Sequence, residues 1–169
     1  MNVKQFRDFV VVPSLEYIGA YSLAAEQLVI GTALAESNLD YIQQTGGGPA
    51  RGLFQMEPRT HDDIWENWLR HKPHIVDGLK GLLIRDMDLL DQLRGNLFYA
   101  AAMCRIHYLR FSEPLPPEND WPDMARYWKK YYNTHLGAGT PQHFLQKSRP
   151  FFDLYAGGFS CSNPIRTTR

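Results

Sequence analysis

Two cysteines in 169 residues, Cys104 and Cys161, are too few and too far apart to define a metal-ligating set or a disulfide framework. Cys104 lies on an apolar helical stretch, so both are read as free thiols. Charge of one sign is missing as well: eighteen lysines and arginines balance eighteen aspartates and glutamates. Without a basic excess there is no footprint for a phosphate-rich partner, which excludes nucleic acid as the expected ligand. Long hydrophobic runs are also absent. The opening MNVKQFRDFVVVPSLEY is interrupted by Arg7 and Asp8 and ended by Pro13, too short for a signal segment or a membrane span. Extended polar-apolar alternation is lacking too, which argues against a large sheet, and there is no internal repeat or low-complexity segment.

What is present is helical periodicity with readable starts and stops, in a chain of 44% hydrophobic residues and the length of one ordinary domain. The expected fold class is mainly α, a single domain over residues 1–169 with at most a small β-hairpin. Residues 3–11 and 14–20 read as short helices divided by Pro13. Ser22 caps a helix over 23–38, with Leu23, Gln27, Ile30, Leu34 and Ser37 at spacings of three and four. QQTGGGPAR is too rich in glycine for helix and predicts an ordered turn or hairpin. It lacks the Lys-Ser/Thr ending and the preceding strand of a phosphate-binding loop. Thr60 with Asp63 reads as a capping box for a helix to about residue 70, with Ile64, Trp65, Trp68 and Leu69 on its core face. A helix over 78–94 ends at Gly95, and Asn96 starts the next, whose Leu97, Ala100, Ala101, Cys104 and Tyr108 form a narrow stripe that admits a close neighbour. SEPLPPEND is a surface loop. Asp120 begins a helix over 121–132, and Thr140-Pro141 begins a last one to about 155, stopped by Gly157 and Gly158 before a loose tail.

One residue is out of place in this pattern. Glu36 lies near the end of the apolar helix that begins after Ser22, where the helix dipole offers a carboxylate nothing, and burial there pushes its pKa upward. Such a cost is useful to an acid catalyst. Protonating a poor leaving group calls for a carboxylic acid still protonated near neutral pH. Gln55 offers a neutral donor and acceptor that adds no charge beside such an acid. Taken alone, Glu36 also fits a solvent-facing helix end, Glu57 an acid at a helix start, and His61 an exposed first-turn residue. Trp65, Trp68, Trp121 and Trp128 fit core packing, with stacking on sugar faces as the alternative.

ALAESNLD, then GPARGLFQMEP, NLFYAAAMC and RYWKKYYNTHLGAG, in that order over residues 30–140, resemble the four-part signature of soluble lytic transglycosylases and goose-type lysozymes. The resemblance implies a lysozyme-like domain acting on peptidoglycan between N-acetylmuramic acid and N-acetylglucosamine, with no metal or organic cofactor. It places Glu36 on the catalytic acid and Ser37 on its partner. Phe54, where the family has methionine, and Gln55 fall on the segment lining the sugar cleft. Tyr132 and Asn133 match the family's tyrosine-asparagine pair, the tyrosine beside the acid and able to donate to it or to the sugar. Asn96 begins a segment taken as scaffold. Gly46 stands where many transglycosylases carry serine, leaving Thr45 as the nearest hydroxyl.

Glu57 and His61 occupy positions where goose-type lysozymes have aspartate and histidine. If Glu57 holds a water across the sugar, the enzyme is an inverting hydrolase; if not, the muramoyl C6 hydroxyl attacks internally and leaves an anhydro end. The reading taken is a lytic transglycosylase, with the goose-type hydrolase as alternative. A further alternative is a non-catalytic glycan-binding or virion structural protein on the same fold. The partner expected is the peptidoglycan glycan strand, bound by a monomer or a virion-associated chain. The location expected is a phage virion, or a cytoplasm from which another route releases the protein.

Overall fold

The computed structural model describes residues 1–135 and 137–156 and is mainly helical. Gly157, Gly158, Cys161 and the tail expected to be loose lie outside the described residues. The elements are α1 (Val3–Phe6), α2 (Val12–Tyr17), α3 (Leu23–Ser37), α4 (Pro58–Asp63), α5 (Pro73–Gly81), α6 (Leu89–Gly95), α7 (Leu97–Leu109), α8 (Trp121–Trp128) and α9 (Pro141–Ala156). Among the described residues, three π turns interrupt or extend them at Arg7–Val11, Ile64–Trp68 and Lys129–Asn133. The only β pairing among the described residues is two isolated antiparallel bridges, Gln43 with Arg51 and Arg51 with Met56.

Several boundaries depart from the sequence pattern. Pro13 does not divide the first helix: α1, the π turn Arg7–Val11 and α2 run on continuously, with Pro13 in the first turn of α2. The wider hydrogen-bonding step of a π turn accommodates the missing proline N–H. Thr60 caps nothing at the start of α4. The helix begins at Pro58, whose fixed φ suits the first helical position, and Glu57 is the residue before it. The helix expected over 78–94 is two helices, because Asp88 opens α6 by accepting from the Leu90 N–H at 2.9 Å. Gln92 fastens the intervening segment through Ile84 and Met87. Ser22, Asn96, Asp120 and Thr140 do cap as the sequence indicates, each side-chain oxygen accepting an N–H three residues on.

Two apolar cores share α7. Ala100, Ala101, Cys104 and Tyr108 face the larger core, built with the N-terminal helix, α3, α8 and α9. Tyr99, Ala102, Met103 and Ile106 face the smaller one, built with Ile64 of the second π turn, Leu69, α5 and α6. Helix α3 is buried on all sides except at Leu23, Ala24 and Glu36. It stops because Asn38 adopts the left-handed conformation (φ 54°), a common way to end a helix with asparagine.

Candidate active site

Glu36 sits one residue before the end of α3, and two donors from one later segment reach it. Trp128 Nε1, at the end of α8, donates to Oε1 at 3.0 Å, and the Asn133 side chain donates from the last residue of the π turn. On an α-helix, residues five apart point about 140° away from each other. A π turn hydrogen-bonds each residue to the one five before it and so brings that spacing back toward alignment. The π turn is therefore what lets both side chains converge on one carboxyl. Burial raises the Glu36 pKa to about 7, and the two donors and the Lys129 charge oppose that rise without cancelling it.

The glycine-rich segment turns back against the end of α3. Arg51 and Met56 exchange both backbone hydrogen bonds, and Gly52 N donates to the Ile42 carbonyl. Gly52 has φ +73°, and a Cβ there would lie 1.9 Å from the Leu93 carbonyl oxygen, so only glycine fits. The two carbonyls that follow are held by the residues the sequence singles out. Ser37 Oγ donates to Leu53 O at 2.7 Å, and Tyr132 OH donates to Phe54 O at 2.8 Å. The end of α3, the 52–55 turn and the π turn thus form one hydrogen-bonded knot around Glu36.

That knot reassigns three residues. Ser37 is 2% exposed and its hydroxyl also bonds Ala33 O and the Leu39 N–H, so it is a backbone tie rather than a sugar contact. Phe54 is equally buried and packs on Phe6, which makes it core. Tyr132 spends its proton on Phe54 O and not on the acid; burial holds its phenol un-ionised. Gln55 is half-buried in a left-handed conformation (φ 46°), steadied by its own Nε2 on Gly52 O at 2.8 Å. A non-glycine residue held there is a position of local strain. Glu57 is exposed in extended backbone, just ahead of α4.

His61 is 1% exposed, not the exposed first-turn residue expected from its position. Trp65 Nε1 donates to Tyr99 OH at 2.8 Å, so the Tyr99 proton is free to go to His61 Nε2 at 2.7 Å, while Nδ1 faces Asp62 at 2.9 Å. Burial pushes the His61 pKa down, which suits this neutral tautomer. His61, Asp62, Trp65, Glu66, Asp88, Leu89 and Leu90 line a cavity of about 300 Å³ that Glu36 does not border.

Sequence reasoning missed the partners that define the site. Trp128 reads as core by its spacing, and it is 1% exposed, yet its indole N–H points at the acid. Lys129 carries no motif signal. Its Nζ lies 2.8 Å from Asn133 Oδ1 and 2.8 Å from the Gly137 carbonyl. His143, on α9, places Nε2 2.9 Å from the Ala35 carbonyl, directly behind Glu36 in the chain. Cys104 is a free buried thiol whose pKa burial raises. Comparison of the chain with protein-family models, curated proteins and solved structures finds no match.

Proposed function

We propose that the protein is a peptidoglycan lytic enzyme that cleaves between N-acetylmuramic acid and N-acetylglucosamine, with Glu36 as general acid. The observation that carries this reading is a half-buried carboxyl, titrating at about 7, held by an indole N–H where a helix end disfavours its charge. Because Trp128 donates to Oε1, that oxygen keeps carbonyl character and the acid's proton belongs on Oε2. Glu36 gives this proton to the glycosidic oxygen as the bond to the muramoyl carbon breaks. The resulting carboxylate then takes the proton of the muramoyl C6 hydroxyl as that oxygen closes on the same carbon. The acid is regenerated, no water is consumed, and the product is an anhydro-muramoyl end.

Lytic transglycosylase chemistry is favoured because the knot surrounds one carboxyl, whereas Glu57 is exposed at a helix start. Gln55 is the polar side chain of the 52–55 turn, and with its Nε2 on Gly52 O it offers sugar its Oε1, whereas Ser37, Phe54 and Tyr132 are occupied elsewhere.

Digestion of purified sacculi followed by mass spectrometry of the fragments tests both halves. Anhydro ends, one water lighter than reducing ends, are expected from the wild type. Glu36→Gln should abolish release, while Glu57→Gln should leave it within a few-fold. Reducing-end products together with a loss of 10²–10⁴ in Glu57→Gln would instead make this an inverting hydrolase with Glu57 as base. Glycan binding without any cleavage would favour a non-catalytic role.

A further inference from the structure

We propose that Lys129 is a positioning residue for the acid: it pins the oxygen of the Asn133 amide, so that the amide nitrogen, and not the oxygen, faces Glu36. The inference deepens the proposed function and rests on it for its kinetic half. An asparagine side chain presents a donor and an acceptor of nearly the same shape, and only its partners decide which end points where. A lysine ammonium has three donors and no acceptor, so an ammonium 2.8 Å from Oδ1 settles the choice. The same ammonium donates to the Gly137 carbonyl at 2.8 Å, tying the chain after the π turn to the amide. That chain packs closely: a Cβ on Gly137 would lie 2.4 Å from Asn133 Oδ1.

The orientation matters because of what the opposite one would do. With Oδ1 turned toward Glu36, the carboxyl O–H would donate to it, and the proton needed by the leaving group would be held by the amide. With Nδ2 turned toward Glu36, Asn133 offers only donors, and the acid's proton stays unengaged. The cation also restrains the carboxyl's upward shift. Other titratable groups around Glu36 come from α7 (Cys104, Tyr108), from the π turn (Tyr132) and from α9 (His143). Burial holds Cys104, Tyr108 and Tyr132 un-ionised, His143 bonds the Ala35 carbonyl, and the charge that acts to lower the Glu36 pKa is that of Lys129.

The test compares wild type, Lys129→Met and Lys129→Arg in the full chain. One readout is the Glu36 titration midpoint in the free protein, from carboxyl ¹³C NMR; the other is kcat and KM on murein against pH. Lys129→Met removes both donor and charge, so the midpoint should rise by roughly half to one pH unit, with kcat down roughly 10- to 100-fold and KM little changed. Lys129→Arg, which keeps donor and charge, should return both toward wild type. If Lys129→Met does not fold, Lys129→Gln takes its place and should also raise the midpoint. An unmoved midpoint in the neutral variant overturns the inference. A wild type that cleaves nothing sinks the proposed function alone, since the NMR arm still decides the role of Lys129.

Discussion

Glu36 and His107 titrate over overlapping ranges with opposite consequences for stability. Glu36 titrates at about 7 when folded against an ordinary 4.5, so between those values the native state keeps a proton that the unfolded chain has lost. Stability from this residue is therefore complete below about 4.5 and declines as pH rises toward 7, by roughly 3 kcal/mol in all. His107 runs the other way. Burial lowers its pKa from 6.5 to about 4, and the neutral ring bonds the Tyr131 carbonyl through Nε2 at 2.8 Å. Stability from His107 is complete above 6.5 and declines as pH falls toward 4, and His61, also lowered, adds to that side. The two trends offset each other over the shared window in the wild type. Glu36→Gln deletes only the first, so its stability should climb from pH 4.5 to 6.5 where the wild type is flatter. Above pH 7 it should exceed the wild type by about 3 kcal/mol, while near pH 4 the two should match. Urea unfolding at three pH values checks this, and an offset that does not change with pH would contradict a raised Glu36 pKa.

At the scale of elements, the 52–55 turn depends on one residue without a side chain. Gly52→Ala would force a Cβ against Leu93 O and hold alanine at positive φ, which should cost about 2–4 kcal/mol and displace the Leu53 and Phe54 carbonyls from Ser37 and Tyr132. Thermal melts and murein lysis should fall together, and a stable but inactive variant would show that the turn matters to the site without supporting the fold. Caps of this local kind were readable in the sequence, since Ser22, Asn96, Asp120 and Thr140 bond within three residues of themselves. The raised pKa of the Glu36 carboxyl was readable too, because an apolar helix makes a carboxylate conspicuous. The π turns were not: they put Trp128 and Asn133 together at a spacing that α periodicity separates, and they let the first helix pass through Pro13. Nor were the roles of Ser37, Phe54 and Tyr132, whose ties run to backbone carbonyls 16 and 78 residues away or to another aromatic ring. The break between α5 and α6 depends on Gln92 reaching Ile84 and Met87, a contact no periodicity encodes.

Over the whole molecule, α3 carries two inward-facing glutamates in opposite circumstances. Glu26, 0% exposed in the first turn, lies at the end of the helix that favours negative charge, ten residues and about 15 Å from Glu36. It accepts from Arg7 Nε at 2.6 Å, from Tyr21 OH at 2.9 Å, and from Tyr155 OH, so the N-terminal helix, α3 and α9 meet at one carboxylate. Glu36, at the other end, has fewer donors and a raised pKa. A buried ion pair broken on one side is costly, because the remaining charge keeps its desolvation penalty. Arg7→Met should therefore lower stability by about 3–5 kcal/mol, and adding Glu26→Gln should recover part of that loss. Because the pair lies at the far end of α3, the upper limb of the pH–rate profile should stay near 7 in the folded fraction of Arg7→Met. Urea unfolding of the single and double variants measures the first expectation, and kcat against pH below the melting range measures the second. A shifted upper limb would mean that the junction of α3 with α9, where His143 bonds the Ala35 carbonyl, transmits strain to the acid. An Arg7→Met variant as stable as the wild type would show that the two tyrosines alone satisfy Glu26.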